Sequence, residues 1–281
     1  MSGARLLRQT IPGATLLVLG ALLSACGGGK LGAAAGTFTP RTPGTLTVAT
    51  AQIPDPGFWQ GTFQHPTGGF EYELARALAS RFGLARVRVI DVPFRQLTAG
   101  HLHGADLALS DITVTSERAR YVAFSTSYLR APPAILVRPG TEVPDVHSAQ
   151  RLSWAVESGT TLLQALEESI EPSSTPLILD HQREVLHALR SGRAQAIMLD
   201  LPVALAYARE SPHAYAVAAQ LSSEAVLAAA LPLGSSNVEA VDSAIRAFGA
   251  DGTLERLGHA WLHTDLQEGQ SENVPVLRTA E

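Results

Sequence analysis

The stretch "SDITVTSERARYVAFS", residues 110–125, places a cation where a helix favours an acid. If a helix begins after Thr115, Arg118 lies in its first turn, beside the positive end of the helix dipole. A cation there costs about 0.3–1 kcal/mol, so helix stability does not account for Arg118. A guanidinium can hold a carboxylate with two parallel hydrogen bonds. We therefore predict that Arg118 binds an anion; the alternative is a solvated arginine paired with Glu117 or Asp111.

The elements that must position this arginine alternate between strand and helix patterns. Strands are predicted in "TLTVAT", "RVRVIDV", "DLALS", "AILVR", "LSWAV", "PLIL", "AQAIML" and "EAVLAAAL". The clearest helix is "FEYELARALASRFG", in which Leu74, Leu78 and Phe82 recur every four residues and Gly83 ends the helix. Alternation of this kind predicts an α/β fold with parallel sheets.

The first 26 residues have the layout of an export signal. Arg5 and Arg8 precede the apolar run "IPGATLLVLGALL", which is too short to span a membrane, and "LSAC" ends at Cys26. "LSAC" resembles a bacterial lipobox, which implies cleavage after residue 25 and a lipid on Cys26. The alternative is an ordinary signal peptide with an incidental cysteine. We expect an exported protein that a lipid anchors to the outer side of the cell membrane.

The composition argues against one class of partner and predicts flexible segments at both ends of the chain. The 26 acidic and 21 basic residues give a formal net charge of −5, which argues against a nucleic-acid partner. Residues 26–44 are rich in glycine and predict a flexible tether, whose ends would lie about 20–25 Å apart as a coil. Residues 263–281 are polar and predict a flexible tail.

Five segments resemble, in order, one family of proteins over about residues 45–262. They are "GGFEYELARALASRFG", "GADLALSDITVTSERARYVAFSTSYL", "ESGTTLLQAL", "GRAQAIMLDLPVALAYA" and "ADGTLERLGHAWL". The chain resembles the type II bacterial solute-binding proteins, in particular the polar amino-acid receptors of ABC importers. It departs from their pattern at Glu71, where the family more often has aspartate, and at Asp111, where the family usually has glycine.

The resemblance implies two α/β lobes, each a mainly parallel sheet flanked by helices, with the ligand between them. Two hinge strands would join the lobes, near residues 134–140 and 223–230. The first lobe would then comprise residues 45–138 and 231–262, and the second lobe residues 140–227.

An amino-acid ligand has two charges, and burying either one unpaired costs several kcal/mol. Arg118 and the N–H groups around Thr113 would hold its carboxylate from the first lobe. Gly159, Thr160 and Thr161 lie at a predicted helix start in the second lobe, which suits an anion. We expect both groups to hold the same carboxylate when the lobes close.

Asp200 is predicted to hold the ammonium group of the ligand. It ends the strand "AIMLD", and an acid at the carboxyl end of a parallel strand points into the crevice where α/β proteins bind ligands. The alternative role is the N-cap of the next helix, and both roles can hold. Asp111 places a carboxylate beside this site. Its carboxylate would strengthen cation binding, pair with Arg118 or point outward. A ligand with more positive charge than a neutral amino acid is therefore an alternative.

Aromatic residues near the predicted cleft could pack against the ligand. Phe58 and Trp59 follow the first strand, and Phe94 is a further candidate. A ring over an ammonium group contributes about 0.5–2 kcal/mol; the alternative is that these rings pack a lid. His101 and His103 could suggest a metal site, but "HLHG" has no further ligands nearby and favours a solvated loop. We expect no metal.

The sequence thus predicts a substrate-binding lipoprotein of an ABC importer. It would capture an amino acid or similar small polar solute outside the membrane and deliver it to a permease. We expect a monomer without a cofactor and without enzymatic activity, since no histidine falls in the segments assigned to the cleft. The alternatives are a ligand-sensing module for another membrane protein and a small-molecule lyase on the same scaffold.

Overall fold

The computed structural model describes residues 36–263 and 274–277. The predicted leader, the lipidation site Cys26, the first part of the predicted tether and most of the predicted tail lie outside the described residues. Within these two ranges, no helix is both long enough and apolar enough to cross a membrane.

The described part of the chain alternates strands and helices, as the sequence predicts. Its strands are β1 Thr45–Thr50, β2 Gln60–Gly61, β3 Pro66–Gly68, β4 Arg86–Asp91, β5 Leu107–Ala108, β6 Val122–Arg130, β7 Pro133–Val137, β8 Trp154–Glu157, β9 Leu177–Leu179, β10 Ala196–Asp200, β11 Ala216–Gln220 and β12 Val226–Pro232. Its α-helices are α1 Phe70–Arg81, α2 Phe94–Thr98, α3 Val146–Gln150, α4 Thr161–Ala165, α5 Gln182–Ser191, α6 Leu201–Glu210, α7 Val238–Ala250 and α8 Thr253–Leu257. A 3-10 turn covers Arg118–Arg120, and π-helical turns continue α4 and α8 over Leu166–Ile170 and Gly258–Leu262.

The strands form one five-stranded sheet in each lobe, plus a small pair of β2 and β3. The strand order is β4-β1-β5-β12-β6 in lobe 1 and β11-β7-β10-β8-β9 in lobe 2. In lobe 1, β12 runs antiparallel to both of its neighbours, and β7 does so in lobe 2. The other pairings are parallel. Both sheets are therefore mixed, whereas mainly parallel sheets were expected.

The crossings between the lobes are short loops, not the strands predicted for this role. β7 lies wholly within the lobe 2 sheet and β12 within the lobe 1 sheet. The chain therefore crosses at residues 131–132 and again at residues 221–225. The backbone N–H of Ala131 donates to the carbonyl of Ala225 at 2.9 Å, which ties the two crossings together.

The predicted lobe boundaries are consequently wrong by about one strand. Lobe 1 ends at residue 130 and resumes at residue 226, and lobe 2 begins at residue 133. Both misplaced strands are buried along most of their length. An apolar run of this kind fits the interior of a sheet as well as a hinge, so the sequence pattern could not separate the two roles.

One glycine allows the loop after β1 to pack on the start of α1. Gly69 has φ +113°, and a Cβ atom there would lie 2.1 Å from the carbonyl oxygen of Phe58. No other residue fits this close approach. The same carbonyl accepts a hydrogen bond from the backbone N–H of Glu71 at 3.2 Å. The first turn of α1 and the loop of residues 51–59 are thereby held together beneath the cleft.

The end of the predicted tether packs onto lobe 1. Phe38 is 8% exposed, and its ring stacks on Phe82 with the ring centroids 4.3 Å apart. The side chain of Asn237 accepts from the backbone N–H of Thr39 and donates to its carbonyl, both at 2.9 Å. Residues 36–44 are therefore not a flexible tether, because the buried ring of Phe38 fixes them.

Part of the predicted tail is also fixed. Val276 forms a parallel bridge with Gln220 at the end of β11. The backbone N–H of Gln220 donates to Pro275 at 2.9 Å, and that of Leu277 donates to Gln220 at 2.8 Å. Leu277 is 8% exposed in the lobe 2 core. Residues 274–277 thus extend the edge of the lobe 2 sheet. The polar residues around them led to the prediction of a flexible tail instead.

Candidate functional site

A cavity lies between the lobes, where strands of both sheets end. Gln52 lies just beyond β1, Asp111 lies just beyond β5, and Glu157 and Asp200 are the last residues of β8 and β10; all four line the cavity. The carboxyl ends of parallel strands meet at one edge of a sheet, where α/β proteins bind ligands. The strand arrangement therefore gathers the polar residues of both lobes in this cavity.

Arg118 is buried in the cavity wall, with 7% of its surface exposed. Its Nη1 donates to the carbonyl of Thr113 at 2.8 Å, and its Nη2 donates to the carbonyl of Gly159 in lobe 2 at 3.2 Å. The guanidinium carbon lies 5.2 Å from the centroid of the Phe94 ring. These contacts orient the guanidinium plane and leave further N–H groups for a ligand.

The helix predicted after Thr115 does not form. Arg118 opens a 3-10 turn of three residues, so the helix-dipole argument for an anion does not apply. The prediction that Arg118 faces a binding site rests instead on its burial in the cavity wall.

Arg118 keeps its charge at neutral pH. Burial lowers its pKa to about 10, and the carboxylates of Asp200 and Glu117 act against this shift. Among the described residues, no carboxylate forms an ion pair with it within 4.0 Å. The alternative of a solvated arginine paired with Glu117 or Asp111 is therefore wrong. A buried cation without an ion-pair partner favours an anionic ligand group.

Asp200 lines the cavity from lobe 2 and is 8% exposed. It stands at the N-cap position of α6, but its side chain makes no capping hydrogen bond, so the alternative role is not observed. Burial raises its pKa to about 7; the charge of Arg118 opposes this shift and the charge of Asp55 adds to it. A cation bound beside Asp200 would return this carboxyl group to its charged form.

The start of α4 forms another part of the lobe 2 wall. Thr160 caps this helix, because its Oγ1 accepts from the backbone N–H of Leu163 at 3.3 Å. The hydroxyl of Thr161 donates to Oγ1 of Thr113 in lobe 1 at 3.3 Å. All three threonines line the cavity. Gly159 does not, and its contribution is the carbonyl that orients Arg118.

Asp111 is positioned by a hydrogen bond to the buried side chain of Glu71. Its backbone is left-handed, with φ +50°, a conformation that aspartate tolerates better than most residues. Its N–H donates to Oε1 of Glu71 at 2.9 Å. Glu71 is fully buried and also accepts from Nε1 of Trp59 at 2.7 Å and from the hydroxyl of Tyr128. Burial raises the pKa of Glu71 to about 7 in spite of these donors.

Comparison with known proteins identifies the family. The chain matches the family model of the bacterial extracellular solute-binding proteins, family 3, over residues 46–264. It belongs to this family. The match covers both lobes and every cavity residue described above.

Known relatives of this solute-binding protein include both receptors and enzymes. The L-cystine-binding protein TcyJ of Escherichia coli (strain K12) is 27% identical over 226 residues, which cover 79% of this chain and 84% of TcyJ. A substrate-binding protein of an amino-acid ABC transporter from Streptococcus pneumoniae Canada MDR_19A, solved bound to L-arginine, superposes with a TM-score of 0.69 at 26% identity and covers 79% of this chain and 95% of that one. The membrane-bound lytic murein transglycosylase F of Ectopseudomonas mendocina (strain ymp) is 31% identical over 160 residues, which cover 54% of this chain and 32% of the enzyme.

The cavity of this family 3 protein also contains Asp55, which the sequence did not predict. Asp55 is 5% exposed and lies in the loop after β1. Its Oδ1 accepts from Nε2 of Gln182 at 3.1 Å and from the hydroxyl of Tyr207 at 3.5 Å, both in lobe 2. Its carboxyl group also hydrogen-bonds to that of Asp111. The only sequence signal was a position shortly after the first strand, inside a loop rich in proline and glycine.

Two further titratable residues of lobe 2 line the cavity. Burial raises the pKa of Glu157 to about 8, and the nearby carboxylates of Asp55 and Glu184 add to the shift. His181 precedes α5 and also lines the cavity, so the expectation that no histidine lies in the cleft is wrong. Glu157 ends a strand just as Asp200 does, and the rule that found Asp200 could have found it.

The aromatic residues divide between the cavity and the core. Phe94 lines the cavity beneath Arg118. Phe58 and Trp59 do not line it and are 0% and 1% exposed in the lobe 1 core, where Phe58 packs edge-on against Phe70. Their prediction as ligand walls is wrong, because the close contact at Gly69 turns them towards α1. In the part of the chain that the structure describes, no group of His, Cys, Asp or Glu side chains is arranged to hold a metal ion.

Proposed function

We propose that this family 3 protein binds an amino acid between its lobes and delivers it to the permease of an ABC importer. The observation that carries the proposal is that Arg118 of lobe 1 and Asp200 of lobe 2 are both buried in the wall of one cavity. A cation and a carboxyl group at one cavity match the two charges that every amino acid carries at its α-carbon.

Each charge of the ligand has a partner in this proposal. The ligand carboxylate binds the guanidinium of Arg118, which Thr113 and Gly159 already orient. The ligand ammonium binds Asp200, whose carboxyl group has no capping bond to give up. Leaving either ligand charge buried without a partner costs several kcal/mol. A compound that lacks one of the two charges is therefore a poor ligand.

The relatives support an amino acid as the ligand class. The pneumococcal protein is solved with L-arginine, and the E. coli protein is named for L-cystine. Both compounds carry an α-carboxylate and an α-ammonium group.

Ligand binding closes the two lobes in this proposal. Arg118 already bonds across the cleft to Gly159, and Thr161 bonds across it to Thr113. A ligand that also bridges Arg118 and Asp200 makes both contacts only in the closed state, so it favours that state. A shift from mostly open to mostly closed requires about 5.5 kcal/mol of differential affinity. Micromolar binding corresponds to about −8 kcal/mol and is sufficient.

The setting of the protein is part of the same proposal. Residues 1–25 direct export, the lipid on Cys26 anchors a monomeric receptor at the outer side of the membrane, and the permease recognises the closed form. No cofactor and no catalytic step are involved. Product analysis after incubation with the bound amino acid tests the enzymatic alternative, and any turnover would support it. Loss of uptake on gene deletion separates transport from a purely sensory role.

Calorimetry with chemically blocked ligands tests the binding proposal. The purified protein is titrated with the common L-amino acids, and the tightest ligand is then compared with its carboxamide and its N-acetyl derivative. We expect both derivatives to lose most of the affinity, because each removes one charge. A derivative that binds as tightly as the parent amino acid contradicts the assigned role of Arg118 or of Asp200, respectively.

A further inference from the structure

The cavity wall carries more acidic groups than the α-ammonium of an amino acid requires. Its charged and acidic side chains are Asp55, Asp111, Glu157 and Asp200 against Arg118 and Arg183. If Arg118 and Asp200 hold the two α-charges, Asp55, Asp111 and Glu157 are left, and the charge of Arg183 already acts on Glu157. Asp55 and Asp111 form one pair in the part of the wall that lobe 1 contributes, where Asp55 is buried and Asp111 is half-buried.

The two carboxyl groups of this pair hydrogen-bond to each other. Such a bond needs a proton, because two carboxylates have no donor between them and repel each other. Asp55 is 5% exposed, and Oδ1 of Asp111 is buried without a hydrogen-bond partner among the described residues. A buried acceptor of this kind costs free energy until a donor reaches it. The pair is therefore incomplete on the side of Asp111.

The surroundings of the pair contribute negative charge and neutral donors. The acidic and titratable groups that act on it are Glu71 from α1, Tyr128 from β6, Glu157 from β8, Asp200 from β10, and Tyr207 and Glu210 from α6. The cavity also contains Arg118, which acts on Asp200, Arg183, which acts on Glu157, and the side chain of His181. Within residues 36–263 and 274–277, no lysine, arginine or histidine forms an ion pair with either member of the pair.

We propose that the Asp55–Asp111 pair is a second cation subsite, where the shared proton of the unliganded protein is exchanged for the cationic side-chain group of the ligand. This inference rests on the proposed function, which places the α-carboxylate on Arg118 and the α-ammonium on Asp200. The ligand class is then an amino acid with an ammonium or guanidinium group on its side chain. The displaced proton passes to solvent, and the incoming group supplies the donor that Oδ1 of Asp111 lacks.

The exchange makes the affinity for cationic ligands depend on pH. Burial raises the pKa of Asp55 to about 6 and holds that of Asp111 well above its usual range. Near pH 6 the pair therefore holds its proton, and a cationic side chain must displace it. Affinity for such a ligand rises with pH, by at most about tenfold per unit for one proton. A neutral side chain leaves the proton of the pair in place, although the α-ammonium of any amino acid still displaces the proton of Asp200.

Calorimetry on the purified protein at pH 6 tests the inference. The cationic probes are L-arginine, L-lysine and L-ornithine, and the neutral probes are L-citrulline, L-norleucine and L-glutamine. Each titration is repeated in two buffers of different ionisation enthalpy, which gives the number of protons released. We expect the tightest cationic probe to bind about 10- to 100-fold more tightly than the tightest neutral probe. The cationic probe should release about one proton more than the neutral probe, since the α-ammonium of either ligand displaces the proton of Asp200.

Variants of Asp55 and Asp111 test whether the released proton comes from this pair. In Asp111→Asn, the new asparagine also tolerates the left-handed backbone. Asp55→Asn is the second variant, to be used if the first does not fold. We expect either change to remove the additional proton release and most of the preference for a cationic side chain. Asp91→Asn, at an exposed position of β4, is the matched control and retains both.

The possible results separate the two proposals. Equal affinity and equal proton release for cationic and neutral probes overturn the second subsite while amino-acid binding stands. Additional proton release with the cationic probe that persists in both variants shows that another group holds that proton, which also overturns the subsite. Failure of every amino acid to bind overturns the proposed function itself.

Discussion

The two ends of the cavity hold their charges in opposite ways. At the arginine end, Arg118 bonds to the backbone carbonyls of Thr113 and Gly159 and lies over Phe94. These partners are neutral, so the cation is oriented without being neutralised. At the acid end, formed by Asp55, Asp111 and Glu71, carboxyl groups bond to each other and to neutral donors. The charge there depends on a proton.

One part of the site therefore suits every amino acid, and the other part selects among amino acids by their side chains. Every amino acid carries a carboxylate, and the arginine end is prepared for it at any pH near neutrality. The acid end gains charge only when a cation replaces its proton, so it distinguishes ligands by their side chains. Changes at the arginine end should therefore weaken binding of all ligands, whereas changes at the acid end should alter selectivity and pH dependence.

The largest expected effect comes from removing the fixed cation. Arg118→Ala should weaken binding of every amino acid ligand by about 2–5 kcal/mol, because truncation of one partner of a buried charge pair has a cost of this size. Calorimetry measures the loss. Arg120→Ala is the matched control, since Arg120 is an exposed arginine of the same 3-10 turn. Wild-type affinity in Arg118→Ala would show that the arginine end does not bind the ligand.

The second largest effect is expected from Glu71, whose side chain accepts a hydrogen bond from Asp111 at the acid end. Glu71→Gln should destabilise the unliganded protein by about 1–3 kcal/mol, because an amide nitrogen cannot accept the hydrogen bonds that reach both carboxylate oxygens of Glu71. Urea unfolding measures the change. Glu73→Gln, at a half-buried position of the same helix whose partner Arg76 is exposed, should change stability by less than about 0.5 kcal/mol. Equal stability of the two variants would contradict the role of Glu71.

The protons of the cavity should make the unliganded protein less stable as pH rises. Burial raises the pKa of Asp55 to about 6, those of Glu71 and Asp200 to about 7 and that of Glu157 to about 8. The folded state then binds more protons than the unfolded state between about pH 4 and pH 8. The free energy of unfolding should fall across this window, with a slope of at most about 1.4 kcal/mol per pH unit for each group.

Urea unfolding at a series of pH values checks this slope. Asp111→Asn should flatten it, because that variant removes one raised carboxyl group and its repulsion on the others. Stability that rises between pH 4 and pH 8 would mean that these carboxyl groups are charged and paired in the folded protein, contrary to the account of the acid end.

The smallest effect comes from the ring beneath the guanidinium. Phe94→Leu should weaken binding by about 0.5–1 kcal/mol, the range of a partly exposed cation–π contact. Phe82→Leu is the control, since Phe82 stacks on Phe38 in lobe 1 and does not line the cavity. It should lower stability and leave affinity unchanged. A loss in Phe94→Leu as large as that in Arg118→Ala would mean that the ring itself binds the ligand.

The sequence predicted the parts of the site that follow from strand ends and family motifs. Asp200 and Thr113 line the cavity because each stands at or just after a strand that ends there. Arg118 lies in the cavity wall, although the helix on which its prediction was based is a single 3-10 turn.

What the sequence could not show depends on contacts between distant segments. Asp55 meets Asp111 only because the loop after β1 packs on α1 at Gly69, and its partner Gln182 comes from the other lobe. The burial of Phe38 against Phe82 likewise gives no local signal. The hinge was misplaced because β7 and β12 are apolar runs that fit a sheet interior and a crossing equally well.

The most direct test of the account is a crystal structure with the tightest-binding amino acid of the panel. We expect the α-carboxylate within hydrogen-bond distance of the Arg118 guanidinium, the α-ammonium beside Asp200, and a cationic side-chain group between Asp55 and Asp111. A ligand whose carboxylate binds elsewhere, with Arg118 still bonded only to Thr113 and Gly159, would contradict it.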